Sequence, residues 1–293
     1  MSWRAVTEAD LAWVTAFLHR HVQSSMFFLS NLNEYGLHGS ADRAMRIWAL
    51  DGDRKGLFAL SNGGMILMQA PDATKEDWLA TQDFWAEREL VGCLGDGAQV
   101  AAFFEATGLG DRPMSLNERE PGYRLELARL KIPDCNGFSM VPLGEEHRTL
   151  AVKWRTAYHG EVLGTPANKC AEVAAQDIAR CIERDTHRIL LKDGVPVSKT
   201  GFNATLPDTV QIGGVYTPPE LRGQGLARRA VALHLQEARE KGATRAVLFA
   251  ANEAAVRAYE SIGFERNGTF SLMMFMADED VESVSKPTFP VKR

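Results

Sequence analysis

The sequence predicts an α/β protein of two domains, and three observations support this prediction. Strand-like and helix-like segments alternate along 293 residues, a length that allows two domains with a core each. Residues 211–241 have the pattern of a strand, a glycine-bearing basic turn and a helix. Each half also ends a helix on a glycine followed by an apolar residue, Gly108-Leu109 and Gly263-Phe264. The halves are therefore expected to share one order of elements.

The first half begins with a short strand, expected at residues 3–6, and Thr7 is a candidate N-cap for the helix after it. An apolar cluster at 26–29 is expected to pack in the core, with an exposed partner or membrane surface as the alternative, and Gly36 is expected to end its element. Further strands are expected at 47–50, 56–60, 65–69 and 123–130, and helices at 77–87 and before Leu109. Because residues 131–137 are rich in turn formers, a boundary is expected between a domain 1–134 and a domain 135–280.

The second half begins with a strand at residues 138–142 and a helix at about 145–160. A second helix is expected to run to about Glu183, with Thr165 as its cap and Pro166 at its first position. Asp193-Gly194 predicts a hairpin turn. Strands are then expected at 210–217, 243–249 and 269–276, and residues 281–293 are expected to form a loosely ordered tail.

The turn at residues 222–227, R-G-Q-G-L-A, carries the strongest chemical signal. Gly223 and Gly225 leave room for a bulky group to approach the backbone, and the first N–H groups of the following helix lack partners within it. Such a turn is a site for phosphate oxygens. Arg222, Arg228 and Arg229 form a local basic patch that would suit a small polyphosphate. A plain strand-to-helix turn is the alternative interpretation.

The same six residues fit the pattern R/Q-x-x-G-x-G/A and resemble the pyrophosphate loop of GNAT-type, acetyl-CoA-dependent N-acyltransferases. A second stretch, A-N-E-A-A-V-R-A-Y-E-S-I-G-F at residues 251–264, is similar to the family's other motif, in which an Asn opens a helix and a Tyr follows two turns later. Asn252 and Tyr259 are seven residues apart and so lie on one helical face. The resemblance covers about residues 139–277.

The resemblance implies a fold and a cofactor site. Each domain would have a mixed, mostly antiparallel central sheet with flanking helices and a splayed pair of parallel strands. The pantetheine arm of acetyl-CoA would enter that gap, which Gly213-Gly214 would start with a bulge. The implied cofactor residues are Val215, Tyr216, Arg222, Gly223, Gln224, Gly225, Leu226, Ala227 and Asn252. The first half offers no such loop, and alignment on the glycines places Phe104 where the second half has Tyr259 and Gly97 where it has Asn252. We therefore expect a GNAT-like domain without its cofactor loop, and an unrelated α/β domain is the alternative.

The resemblance also implies the catalytic groups. Tyr259 matches the family's general acid, which would protonate the leaving thiolate, since an alkyl thiol has a pKa of roughly 8.5. A core tyrosine is the alternative for Tyr259, and plain helix capping is the alternative for Asn252. The loop-bearing strand holds Gln211 but no carboxylate, so Glu161 is the first candidate for the general base and His159 the second. An ordinary surface glutamate is an equally good interpretation of Glu161.

The amino-acid composition indicates which classes of binding partner are expected. A net charge of −5 disfavours a nucleic-acid surface, and the scattered cysteines and histidines predict no metal site. The amino terminus lacks signal-peptide features and no segment is long enough to span a membrane, so a cytoplasmic protein without a membrane partner is expected. The predicted function is acetyl transfer from acetyl-CoA to a primary amine of a small molecule, amino acid or peptide, and a homodimer is an allowed assembly. The alternative is a non-catalytic acyl-CoA-binding or regulatory module.

Overall fold

The computed structural model describes residues 3–52 and 56–276, which fall into two compact units. Unit 2 is Glu120–Thr269, and unit 1 comprises the described residues before Glu120 together with residues 270–276. The predicted tail at 281–293 lies outside the described residues.

The strands are β1 Trp3–Ala5, β2 Met45–Leu50, β3 Leu57–Ser61, β4 Met65–Gln69, β5 Gly92–Asp96, β6 Met114–Glu126, β7 Phe138–Pro142, β8 His187–Lys192, β9 Val195–Thr205, β10 Thr209–Tyr216, β11 Arg245–Phe249 and β12 Glu265–Phe275. The α-helices are α1 Leu11–Arg20, α2 Val22–Tyr35, α3 Lys75–Leu79, α4 Gln82–Trp85, α5 Gly97–Thr107, α6 Arg148–Glu161, α7 Cys170–Glu183, α8 Leu226–Glu240 and α9 Glu253–Ser261. In the part of the chain that the structure describes, none of these helices has the length and apolar character needed to cross a membrane.

In unit 1 the strand order is β1-β2-β3-β4-β5-β12. β1 to β4 are antiparallel neighbours, β4 and β5 are parallel, and β12 is antiparallel to β5. The core is aromatic: Phe103 of α5 lies 5.7 Å from both Phe58 and Trp78 between ring centroids. All three side chains are buried, so α5 and α3 are anchored to the sheet by rings that pack at an angle.

Unit 2 repeats this arrangement with β7-β8-β9-β10-β11-β6. β7 to β10 are antiparallel neighbours, β10 and β11 are parallel, and the Gly122–Glu126 part of β6 is antiparallel to β11. α8 buries Val231 and Leu235 in a core that contains Val210 and Ile212 of β10. α6 and α7 contribute Trp154 and Ile178 to a separate apolar cluster.

The compact units differ from the segments 1–134 and 135–280 that the turn-rich stretch suggested. Unit 2 begins at Glu120 because the second part of β6 pairs with β11, as Tyr123 does with Leu248. The end of β12 is grouped with unit 1 because Phe270 to Met274 pair with β5. Each sheet thus has a sixth strand that lies, in sequence, beyond the predicted boundary of its own half.

Most elements lie where the sequence places them, and some details differ. The strand expected at 123–130 is β6, which begins earlier, at Met114, and ends at Glu126. The helix expected at 77–87 consists of α3 and α4, separated by the turn at Ala80-Thr81. Thr165 does not cap the helix after it: α7 begins at Cys170, and the Thr165 hydroxyl lies 2.8 Å from His159 Nδ1. In α5 the N-cap is Asp96, whose carboxylate accepts hydrogen bonds from two helix N–H groups, and Gly97 is the first helical residue.

Candidate active site

The parallel strands β10 and β11 separate part of the way along unit 2. Their register contains three pairs and ends at Gln211 with Val247, although β10 continues to Tyr216. On its other edge β10 carries a bulge between Gly213 and Tyr216, and Gly214 has φ +60°, a conformation open to glycine at low cost. The ladder between β10 and β11 therefore ends just before the glycines at which the splay was predicted.

Beyond the splay, the chain turns at residues 217–225 and enters α8. Gly225 is the N-cap of α8 with φ +70°, so the first N–H groups of the helix face the turn at the positive end of its dipole. A Cβ on Gly225 would lie 2.9 Å from Arg228 Nε and 3.0 Å from Arg229 Nη1. The backbone at this turn is accessible because the position has no side chain.

A cleft of about 980 Å³ joins the splay, this turn, the end of α6 and the start of α9. Its size suits an extended organic ligand. All the residues that the sequence proposes for cofactor binding or catalysis line it, namely Glu161, Val215, Tyr216, Arg222, Gly223, Gln224, Gly225, Leu226, Ala227, Asn252 and Tyr259. The structure therefore brings the predicted set into one cavity, and their individual roles stay predictions.

Tyr259 projects from α9 into the inner part of the cleft and is 7% exposed. Its ring packs edge-on against Phe264, with 6.1 Å between centroids. Burial raises the pKa of Tyr259 well above its usual value, and nearby Tyr158 and Glu120 raise it further. The phenol therefore keeps its proton throughout the neutral pH range, as a proton donor must.

Asn252 is the N-cap of α9, and its Oδ1 accepts a hydrogen bond from Ala255 N at 3.0 Å. The capping interpretation of Asn252 is thus observed directly. It also fixes the start of the helix that carries Tyr259. Asn252 positions the rim of the cleft through the backbone of α9.

Glu161 lies at the end of α6 and contacts the predicted cofactor loop. Its Oε2 accepts a hydrogen bond from Arg222 Nη2 at 2.6 Å, and its Oε1 accepts one from Tyr216 Oη at 3.2 Å. Arg222 also donates to Thr217 O, and its guanidinium lies 5.6 Å from the Tyr216 ring centre. Both members of the ion pair are partly exposed, at 48% for Arg222 and 40% for Glu161. Glu161 is in the cleft, but its carboxylate is engaged by the loop.

His159, the second candidate base, has both ring nitrogens engaged outside the cleft lining. Its Nδ1 lies 2.8 Å from Thr165 Oγ1, and its Nε2 lies 3.0 Å from Asp177 Oδ2. Burial lowers the pKa of His159, and the hydrogen bond with Asp177 partly offsets this. The arrangement links α6 to α7. It leaves neither nitrogen free to accept a proton from a substrate.

Arg228 and Tyr158 also line the cleft, although neither is in the predicted set of site residues. Arg228 follows the loop and lines the cleft, and its buried Nε has no hydrogen-bond partner among the described residues. Arg229 next to it donates to Asp134 O, Gln224 O and Gly225 O. The basic patch was visible in the sequence, but only the structure shows which arginine faces the cleft. Tyr158 of α6 also lines it, and no sequence motif marks that residue.

Among the described residues, no group of three or more His, Cys, Asp or Glu side chains is arranged to hold a metal ion. The four cysteines are free thiols.

Comparisons with known proteins agree with this geometry. Residues 153–264 match the model of the acetyltransferase (GNAT) family, and this segment contains every residue that lines the cleft. Residues 153–264 therefore carry the sequence features of a GNAT acetyltransferase domain. No curated protein gives a significant match to the sequence.

Solved structures resemble the chain over nearly its whole length. A Drosophila protein has a TM-score of 0.64 at 12% identity, with 94% of this chain and 98% of that one covered. A tandem GNAT protein from the clavulanic acid biosynthesis pathway has a TM-score of 0.56 at 14% identity, covering 93% and 97%. A GCN5-related N-acetyltransferase from Kribbella flavida also scores 0.56, at 16% identity, covering 89% and 97%. The predicted fold class, a mixed and mostly antiparallel sheet with flanking helices, is confirmed for both halves. The ladder between the parallel strands breaks off early in unit 2, whereas β4 and β5 of unit 1 stay paired.

Proposed function

We propose that this protein is an acetyl-CoA-dependent N-acetyltransferase that acts on a primary amine of a small molecule, amino acid or peptide. One observation carries the proposal: a single cleft contains the strand splay, the glycine-bearing N-terminus of α8 and the buried phenol of Tyr259. A phosphate site alone would not require a buried proton donor, and a buried tyrosine alone would not require the loop. Their meeting in one cavity fits transfer of an acyl group from a phosphate-bearing thioester.

The loop and the splay fit acetyl-CoA in three respects. The first N–H groups of α8 and the guanidinium of Arg228 offer donors to the pyrophosphate. The backbone of Val215 and Tyr216 lies on the widened edge of β10, where it can pair with the pantetheine arm. Arg222 can turn to a phosphate oxygen if it leaves Glu161. The helix N–H groups are fixed before binding, which reduces the entropic cost of ordering them.

The transfer forms a bond between the amine nitrogen and the acetyl carbon and breaks the bond between that carbon and sulfur. The amine loses one proton, and the departing sulfur gains one. Tyr259 supplies the proton to sulfur and recovers one from solvent. Burial raises the pKa of Tyr259. The same low-polarity surroundings disfavour a thiolate, so the pKa of the departing thiol rises together with that of Tyr259 and the proton transfer stays matched.

Glu161 is proposed to act on the acceptor only after Arg222 has turned to the cofactor. In the pair described above, its carboxylate already has a cationic partner. Engagement of Arg222 by phosphate would free the carboxylate to attract a cationic amine and to accept its proton, directly or through water. This order makes acetyl-CoA the first substrate to bind.

Unit 1 is proposed to bind no acetyl-CoA. Its parallel strands β4 and β5 stay paired from Met65 with Gly92 to Met68 with Gly95, so the gap of unit 2 has no equivalent there. Just beyond, Gln99 Oε1 accepts a hydrogen bond from Ala70 N at 2.6 Å, which joins the strand end to α5. Because the N-cap of α5 is Asp96, Phe103 and not the predicted Phe104 lies seven residues after it, as Tyr259 does after the N-cap of α9. Phe103 has no proton to donate.

The test measures thiol release from acetyl-CoA with a panel of amines, amino acids and peptides, alongside calorimetric binding of acetyl-CoA. We expect release that depends on one class of amine, with the acetylated amine identified by mass spectrometry. Binding without release from any acceptor would favour the non-catalytic acyl-CoA-binding module. Absence of binding would refute both functions.

A further inference from the structure

Lys199 is a fully buried lysine beside the bulge of β10. It lies on β9, is 1% exposed, and its Nζ donates a hydrogen bond to the carbonyl oxygen of Gly214 at 2.7 Å. Burying an ammonium group costs free energy, so a lysine at such a position needs a compensating contact or has a functional role. Its bonded partner is a backbone carbonyl, and that carbonyl belongs to the bulge.

The charged and titratable groups that act on Lys199 come from α6, α7 and β8. They are Arg155 and His159 of α6, Asp177 and Cys181 of α7, and His187 of β8. Asp177 is bonded to both Arg155 and Arg180 and to His159. The carboxylate of this group is therefore already balanced by two arginines. Burial and Arg155 lower the pKa of Lys199 to about 7.

The peptide group between Gly214 and Val215 lies outside both neighbouring ladders. Gly213 pairs with Gly201 and Tyr216 pairs with Lys199, which leaves residues 214 and 215 without Cα partners on β9. The register with β11 ends earlier, at Gln211. Val215 lines the cleft. This peptide group is thus fixed by contacts other than the regular ladder, and Lys199 supplies one of them.

We propose that Lys199 is a positioning residue whose ammonium group, bound to the carbonyl of Gly214, holds the 214–215 peptide and polarises the N–H of Val215 toward the reacting thioester. A cation on a peptide oxygen draws electron density along the C–N bond and makes the attached N–H a stronger donor. A stronger and preorganised donor stabilises negative charge that develops on a carbonyl oxygen. This inference rests on the proposed acetyl transfer.

The lysine titrates in the range where its effect can be measured. Below about pH 7 the ammonium form predominates and Val215 N–H is polarised; above it the amine form predominates and the polarisation fades. A base role for the neutral amine would give the opposite trend. The sign of the pH dependence therefore separates the two roles.

The first experiment needs neither turnover nor cofactor. We expect the 15N shift of the Val215 amide and the 13C shift of the Gly214 carbonyl, followed by NMR in the full chain, to titrate together near pH 7. The titration should disappear in Lys199→Met and persist in His187→Gln, which removes the neighbouring imidazole. Wild-type shifts that do not titrate would overturn the proposal, even if Lys199→Met fails to fold.

The second experiment compares turnover of wild type and Lys199→Met across pH. Because both proteins act on the same amine, the ratio of their turnover rates does not depend on the ionisation of that amine. We expect about a tenfold advantage of wild type over Lys199→Met at pH 6 that falls toward unity at pH 8.5, with acetyl-CoA affinity little changed. A ratio that is flat or rises with pH would overturn the proposal. If wild type itself releases no thiol, the proposed function fails while the NMR titration still decides the role of Lys199.

Discussion

Glu161 Oε2 accepts a hydrogen bond from Arg222 Nη2 at 2.6 Å, so the end of α6 is bonded to the loop that leads into α8. Because this pair occupies the arginine that phosphate would use, Glu161→Gln should tighten acetyl-CoA binding by roughly two- to fivefold, the scale of an exposed ion pair. The same change should raise the KM for the acceptor or lower kcat. Calorimetry and steady-state kinetics measure the two effects separately.

Glu253→Gln is the matched control for this prediction. Glu253 also lines the cleft, is 94% exposed, and its carboxylate lies 3.5 Å from Arg257. The Glu253→Gln substitution removes the same charge as Glu161→Gln but does not release Arg222. If both variants change acetyl-CoA affinity equally, the effect is general electrostatics and the ion pair has no specific role.

Tyr259→Phe should lower kcat by roughly ten- to a hundredfold, the usual cost of losing a general acid. The ring keeps its packing against Phe264, so acetyl-CoA affinity and thermal stability should change little. Tyr158→Phe removes a neighbouring phenol that also lines the cleft and serves as the control. Equal losses in the two variants, or none in Tyr259→Phe, would assign Tyr259 to packing alone.

Arg228→Gln should weaken acetyl-CoA binding by about tenfold, because its guanidinium lines the cleft with an unsatisfied Nε. Arg229→Gln should mainly lower the Tm, since Arg229 bonds three backbone carbonyls and lies 4.9 Å from the ring centre of Phe138. Calorimetry and thermal melts distinguish the pair. Unchanged affinity in Arg228→Gln would place the phosphate contact elsewhere.

The sequence could place the predicted site residues together in one cleft because its signals are local. A glycine pair at a bulge, a glycine at the N-cap and an Asn at the start of α9 each act within a few residues. Strand and helix positions follow from periodicity for the same reason. These features need no knowledge of distant contacts.

The features that the sequence did not predict depend on contacts between residues that lie far apart in the chain. No local pattern indicates that β5 pairs with β12, because even the paired residues nearest in sequence, Asp96 and Phe270, are 174 positions apart (270 − 96 = 174). The pairing of Glu161 with Arg222 joins residues 61 positions apart, so the candidate base could not be seen to be engaged. Lys199 sits in a strand beside Ser198 and Thr200, and only its burial distinguishes it from a surface lysine.

Acid should destabilise the fold through buried His234. Its ring stacks on Phe202 at 3.7 Å, and burial lowers its pKa to about 3. In the unfolded chain the pKa is about 6.5. Because the folded pKa is the lower one, the stability contribution is present above pH 6.5 and is lost as pH falls toward 3. When the pH is lowered from 7.5 to 5, this histidine should reduce the free energy of unfolding by about 2 kcal/mol.

Urea denaturation of His234→Leu at the two pH values tests this. The variant should lose most of that pH dependence, while His38→Asn, at an exposed position with φ +63°, should retain it. Buried His187 also has a pKa well below its usual value, so the unfolding free energy of both variants should still depend on pH to some extent. A slope unchanged in His234→Leu would contradict the assignment.

The chain should bind one acetyl-CoA, in unit 2. The test uses the full chain, because a fragment ending at residue 134 would leave β5 without Phe270 to Met274 as its antiparallel partner and would expose an unpaired edge. Gly225→Glu places a carboxylate at the N-terminus of α8 and should abolish calorimetric binding. Gln99→Leu, which removes the acceptor for Ala70 N in unit 1, should leave the stoichiometry at one. Residual binding by Gly225→Glu with wild-type stability would assign a cofactor site to unit 1, where β4 and β5 would have to part.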